Sequence, residues 1–274
     1  MQFVDKALAR RLESCEEMPQ LYYAREFQKT RPEVGAAQAE ICGGHMSFCG
    51  LGSPIGRAVG MGLDRPLSEA DLDQVEAFYR SHKAPAQVDL CPMHDPAVFE
   101  MCKVRGYAMA ELNNVLFRVL DKSEEAPKYP AGCEIRRSSV PEASAAGAVV
   151  ESAFFPDGAP EAYQGLIAPL YQMEGSLAYA AWVDGKIVAC GTGLIIAQHR
   201  VVALCGAGTL AEYRGRGLQT ALLRARMAAA AQVGCEYAVI VTQGGTTSQR
   251  NAERLGFRVA YSKATVIRQC LEAV

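Results

Sequence analysis

Apolar positions along this chain switch between a helical period and a strand period, and the switches outline the fold. In residues 1–30, Leu8 and Leu12 and then Leu21 and Phe27 fall at helical spacing, which predicts two helices broken near Pro19. Residues 35–63 lose that period. They run as short apolar stretches, AEICGG, HMSFCGLG and RAVGMGL, that fit strands with glycine turns. A helix follows, with Ser68 as its cap, Asp71 in a capping-box place and Leu72, Val75, Phe78 and Tyr79 as its apolar stripe. Residues 86–90 read as a short strand. Asp95-Pro96 opens another helix that stops at Gly106, and residues 107–120 read as a strand or a bent strand pair.

Residues 121–132, DKSEEAPKYPAG, are charged, carry prolines and have no apolar period, so they read as a linker between domains at 1–122 and 133–274. Beyond it the pattern predicts a strand at 134–136, a helix at 141–155 and a helical segment within 158–173. A hairpin at 177–183 and 186–196 turns on Asp184-Gly185. A strand at 201–210, a helix at 218–233 and a buried strand at 237–242 come next, then a helix from Ser248 and a strand at 258–267. The halves echo one another: Lys103-Val104-Arg105-Gly106-Tyr107 stands 150 residues before Glu253-Arg254-Leu255-Gly256-Phe257, and similar elements surround both. This implies two related tandem domains of mixed-sheet α/β (α+β) class.

The chemistry concentrates where the strand at 201–210 turns into the helix at 218–233. The turn reads Arg214-Gly215-Arg216-Gly217 and the helix opens Leu218-Gln219-Thr220. Glycines let backbone amides approach a ligand, and a helix N-terminus carries partial positive charge. With two guanidinium groups alongside, the stretch predicts a phosphate or pyrophosphate site. The corresponding stretch of the first half, Leu63-Asp64-Arg65-Pro66-Leu67-Ser68, has no glycine, and Asp64 would repel phosphate. The first domain is therefore read as a degenerate copy that packs and walls.

Residues 204–220 resemble the acyl-CoA-binding motif of the GNAT superfamily of N-acetyltransferases, Gln/Arg-x-x-Gly-x-Gly/Ala, with Arg214 in the first place and Gly217 in the fourth. Gln219 departs from the small residue at the end. Ser248 to Phe257, SQRNAERLGF, is similar to the family's last helix and its closing Gly-Phe, and the order of elements over 133–274 is similar to the GNAT fold. The resemblance implies that acetyl-CoA is the cosubstrate. Arg214, Gly215, Arg216, Gly217, Leu218, Gln219 and Thr220 would hold its pyrophosphate, the backbone at Thr209 and Leu210 its pantetheine and acyl carbonyl, and Asn251 its arm.

The residues that would move protons are less evident. Many members carry a tyrosine acid on the last helix, but its place here is Ala252. Some carry a glutamate base on the fourth strand, but residues 201–210 contain no acid. Ser248, Glu151 and Tyr171 are the catalytic candidates. An N-cap role for Ser248 and solvated helix faces for Glu151 and Tyr171 are the competing readings. The resemblance implies an N-acetyltransferase acting on a primary amine of a small molecule or peptide. The alternatives are a non-catalytic acyl-CoA-binding sensor or scaffold, and an enzyme for a different acyl chain.

Composition narrows the partners. Among 274 residues the net charge is −2, which gives no reason to expect nucleic acid or an acidic membrane. No apolar run nears ~18 residues, and 1–17 has charges throughout, so the reading is a cytoplasmic protein with neither span nor export signal. The ten cysteines lie mostly in apolar surroundings, as reduced buried thiols do. Cys42-x-x-His45-x-x-x-Cys49 and Cys91-x-x-His94 are zinc-ligand types, but without a Cys-x-x-Cys pair no metal is expected. The glycine-rich stretch 41–62 fits either an interface in a homo-oligomer or an interior sheet.

Overall fold

Side-chain caps set the starts of the α-helices at Lys6, Glu69 and Thr247 in the computed structural model, which describes residues 2–124 and 129–269. Helix α1 Lys6–Thr30 starts where the Asp5 carboxylate accepts from the Leu8 amide. It is one helix, not the two expected, and Pro19 lies inside it. An interior proline costs about 3 kcal/mol, whereas each large apolar side chain that is buried returns about 1.5–3 kcal/mol. Leu8 and Leu12 before Pro19, and Leu21, Tyr23 and Phe27 after it, are all buried, so packing carries the helix through.

Strands β1 Ala37–Ile41, β2 Gly44–Phe48 and β3 Ala58–Val59 follow, then α2 Glu69–Ser81, β4 Ala86–Leu90, α3 Ala97–Val104 and β5 Ala108–Val119. The Ser68–Asp71 capping box forms at α2 as expected. After residues 121–132, of which 125–128 lie outside the described residues, come β6 Glu134–Arg137, α4 Ala143–Phe154, α5 Ala168–Gln172, β7 Tyr179–Val183 and β8 Lys186–Ile196. The chain continues as β9 Val201–Thr209, α6 Leu218–Gln232, β10 Tyr237–Gln243, α7 Thr247–Arg254 and β11 Arg258–Arg268. The matched segments at the ends of α3 and α7 close alike. Gly106 N–H bonds Lys103 O while Tyr107 N–H bonds Cys102 O, and Gly256 and Phe257 repeat the pattern on Glu253 and Ala252.

The chain forms two compact units. Among the described residues, the first comprises 2–115, Thr242–Gly245 and 259–269; the second comprises the described part of Leu116–Val241 and Thr246–Arg258. In the first, β1 pairs antiparallel with β2 and β2 with β3, β3 lies parallel to β4, and β4 pairs antiparallel with β11. That last pairing departs from a division at the linker, because the strand expected to complete the second domain lies in the first unit. The cause is buried charge. Lys263 on β11 reaches Glu13 (3.2 Å), Glu16 (2.9 Å) and Asp89 (3.1 Å), and Tyr261 donates to Glu13 (2.7 Å). Those acids are far from Lys263 in sequence, so no local pattern announces the pairing.

In the second unit the strands run β6-β7-β8-β9-β10, antiparallel from β6 to β9 and parallel between β9 and β10. Strand β8 is apolar along nearly its whole length and almost wholly buried, as a central strand covered on both faces must be. A Cβ on Gly208 would meet α4 at Val150, and one on Gly191 would meet α6 at Arg226, so the two helices take opposite faces.

Candidate functional site: the β9–α6 turn

Strand β9 ends at Thr209, and a short 3-10 turn, Ala211–Tyr213, leads into the exposed residues Arg214, Gly215, Arg216 and Gly217. Gly217 caps α6 with φ +78°, a left-handed conformation that glycine adopts freely. It offers no side chain to the helix end, and the first turn holds no acid. The first helical bond runs from Ala221 N–H to Gly217 O. The amides of Leu218, Gln219 and Thr220 therefore have no acceptor within the helix. A Cβ built on Gly215 or Gly217 meets nothing within 4 Å, so the space ahead of this helix end is open. An open, uncapped, positive helix end beside two guanidinium groups fits an anion.

Both arginines rest on backbone carbonyls. Arg214 donates to Thr209 O and Ala153 O, and Arg216 donates to Glu212 O and stacks on the Tyr213 ring at 4.8 Å. Gln219, in the place where a small residue was expected, folds back beneath the sheet. Its Nε2 donates to Gly208 O (2.8 Å), Thr209 Oγ1 (2.9 Å) and Cys190 O (3.3 Å). The side chain thus occupies the strand end and leaves the helix mouth clear.

Two irregularities open β9. Its register against β8 shifts between Cys190 and Thr192, where Gly206 (φ +51°) and Ala207 face Gly191 as a bulge. Its parallel ladder with β10 covers only Val201, Val202 and Ala203 against Tyr237, Ala238 and Val239, although both strands continue. The two strands are not paired with each other beyond that point.

The family model of the GNAT acetyltransferases matches residues 148–257, a range that holds the turn, the bulge and the end of the β9–β10 ladder. The chain carries a GNAT acetyltransferase domain. Solved structures agree at the level of fold. A GCN5-related N-acetyltransferase from Kribbella flavida matches at TM-score 0.66 and 19% identity, over 91% of this chain and 96% of that one. A tandem GNAT protein from the clavulanic acid biosynthesis pathway matches at TM-score 0.60 and 15% identity, over 81% and 77%. A GCN5-related N-acetyltransferase from Sphaerobacter thermophilus matches at TM-score 0.53 and 20% identity, over 71% and 64%. A search of curated proteins finds no match. The GNAT fold of these neighbours covers most of the chain, and one of them is a tandem GNAT protein.

Within this GNAT domain the structure brings Thr209, Arg214 and Gln219 into one bonded group and sets Gly215, Gly217, Leu218 and Thr220 around the helix mouth. Leu210 is already engaged: its N–H bonds Val188 O and its C=O accepts from Tyr213 N–H. Its amide is thus committed to the sheet. Asn251 is half-buried on α7. The three catalytic candidates are not gathered. Ser248 is exposed on α7, and Thr246, not Ser248, caps that helix by accepting from Gln249 N–H. The Glu151 carboxylate, read as a solvated helix face, accepts from Gly165 N–H at 2.8 Å and pins the loop after α4. Tyr171 is buried rather than solvated, and burial pushes its pKa up to about 12. A cavity of about 460 Å³ lined by Tyr171, Met173, Ile195, Ala229 and Val233 lies at the far end of α6 from Gly217, so it is not the anion mouth.

The first unit's counterpart is filled from within. At the N-terminus of α2, Asp71 takes Ser68 N–H (2.8 Å) and both arms of Arg65 (2.8 and 2.6 Å). A carboxylate of the chain itself sits where α6 leaves space. The zinc-type residues also go separate ways. Cys42 Sγ faces Arg65 O and Pro66 O, His45 Nδ1 meets Glu17 Oε1 at 2.5 Å, and Cys49 is buried with its pKa pushed up to about 12. Among the described residues no three His, Cys, Asp or Glu side chains are grouped as metal ligands.

Proposed function

We propose that the protein is an N-acetyltransferase that moves an acetyl group from acetyl-CoA to a primary amine of a small molecule or peptide. The match of residues 148–257 to the GNAT acetyltransferase family supports acyl transfer as the class of reaction. The observation that carries the reading further is the uncapped N-terminus of α6, with three unbonded amides and two arginines around open space. Gly215, Arg216, Gly217, Leu218, Gln219 and Thr220 would receive the pyrophosphate, and Arg214 would swing from its carbonyls to join them. Strand β9 between its bulge and Leu210 would carry the pantetheine and the thioester, with Asn251 beside the arm. The amine would be deprotonated through water, since none of Ser248, Glu151 and Tyr171 stands ready as a base. No helix among the described residues is long and apolar enough to cross a membrane, which suits a cytoplasmic site of action.

A second reading, an acyl-CoA-binding sensor without turnover, is favoured by two observations. Glu151 is pinned to Gly165, and the Tyr171 hydroxyl is shut in. Calorimetric titration with acetyl-CoA, CoA and desulfo-CoA tests the shared premise. Wild type should bind each at about micromolar affinity or tighter. Gly217→Glu, which puts a carboxylate at the helix mouth and strains a left-handed position, should abolish binding. Failure of wild type to bind would remove both readings. Binding together with acetyl transfer to any of a panel of amines would select the enzyme.

A further inference from the structure

Arg226, in the middle of α6, is 1% exposed, and among the described residues no carboxylate pairs with it. Cys205, Cys190 and Tyr171 are the groups that bear on it. Its Nε donates to Leu222 O (3.1 Å) and its Nη1 to Thr192 O, while Nη2 makes no hydrogen bond. The guanidinium lies on Gly191 so closely that a Cβ there would stand 2.6 Å from Cζ. Gly191 is the β8 residue that faces the bulge of β9. Two helical turns earlier, Gln219 donates to Cys190 O and Gly208 O, the partnered residues on one flank of the register shift, while Thr192 stands on the other. Two polar side chains of one helix therefore grip the bulge from behind, and one of them carries a full charge.

Packing alone does not call for that charge. A methionine or leucine would fill the space without the cost of stripping water from a cation. Burial lowers the guanidinium pKa only to about 10, so it stays protonated at neutral pH. A cation fixed in a dry interior acts strongly on charge that develops nearby and needs no reorganisation to do so.

We propose that Arg226 is a positioning residue that holds the β8–β9 bulge and whose charge polarises an acyl carbonyl laid along β9. This rests on the acyl-CoA reading above. The charge would draw electron density toward the carbonyl oxygen and stabilise the oxyanion when the amine adds to the carbonyl carbon. The proton of the amine then leaves to water, and the thiolate of CoA departs.

The test uses the full chain, acetyl-CoA isotope-labelled at the acetyl carbonyl, and isotope-edited infrared spectroscopy, so no acceptor has to be known. Arg226→Gln keeps a donor for Thr192 O but loses the charge; Arg226→Lys keeps the charge but moves it off Gly191. Bound to wild type, the carbonyl stretch should fall in frequency relative to free acetyl-CoA. In Arg226→Gln that fall should shrink to less than about half, while CoA affinity by calorimetry stays within about threefold. Arg226→Lys should retain more of the fall than Arg226→Gln. An undiminished fall in Arg226→Gln would overturn the proposal, as would joint loss of CoA binding and carbonyl shift that Lys does not ease. Should Arg226→Gln fail to fold by circular dichroism, Arg226→Met, which fills the space without a charge, takes its place, and an undiminished fall there overturns the proposal. Wild type that does not bind CoA would sink the acyl-CoA reading itself; binding without any carbonyl shift would sink only the role of Arg226.

Discussion

Gly191 has no side chain, and the Arg226 guanidinium occupies the place where one would go. A methyl group at 2.6 Å from Cζ must push a wholly buried cation out of its bonds to Leu222 O and Thr192 O. Gly191→Ala should therefore cost about 1–3 kcal/mol of stability, the range for overpacked cores. The cost should fall when Arg226→Gln is added, because the shorter side chain leaves room. Urea unfolding of the two single variants and the double variant measures this coupling, and strict additivity would mean that the two residues do not meet. Neither partner is legible in the sequence. Arg226 sits in LLRARMAAAAQ as an ordinary helix residue, and its burial depends on a glycine 35 positions earlier. The open glycine turn at the start of α6 was legible because backbone and charge act together within a few consecutive residues. Glu151, Tyr171 and Gln219 were not, since their partners at Gly165, in the core and on β8 are set by tertiary packing.

At the scale of elements, α2 and α6 show one position used in two ways. Both helices follow a strand and a turn, but α2 closes its N-terminus with Ser68 and Asp71, whereas α6 leaves it to Gly217. The hydrogen bonds from Arg65, with those from Ser68, hold the Asp71 carboxyl well below the usual carboxylate range. A carboxylate whose folded pKa is depressed adds stability above its unfolded pKa of about 3.9, and that stability is lost as pH falls toward the folded value. Asp71→Asn should therefore be less stable than wild type at about pH 6, and the gap should narrow by about pH 3. Urea midpoints at the two values check it, and a gap that holds or widens in acid would remove the charged box from the account. Capping boxes, glycine closures and the Asp184-Gly185 hairpin are readable because each is settled within a few residues. The single helix across Pro19 is not, because burial on both sides of the proline decides it.

For the whole molecule, the consequence lies in where the chain ends up. The first unit is unfinished until β11 arrives, since Lys263 supplies the cation for Glu13, Glu16 and Asp89. Lys263→Met keeps length and apolar bulk but leaves buried carboxylates without their partner. Breaking a buried network in this one-sided way costs about 3–5 kcal/mol, much more than replacing every member with apolar residues would. The loss should be local to the first unit. Hydrogen exchange should speed up in α1 and β4, while amides in β9 and α6 keep their protection and calorimetry finds CoA affinity unchanged. The loss should also depend on pH. Burial already pushes the Glu13 carboxyl up and the cation pulls it down, so without Lys263 it holds a proton more tightly folded than unfolded. A group that binds its proton more tightly when folded makes stability fall as pH rises, so the deficit of Lys263→Met should be smaller at about pH 5 than at about pH 8. A variant as stable as wild type, or one that loses protection equally in α6, would show that β11 is not what completes the first unit.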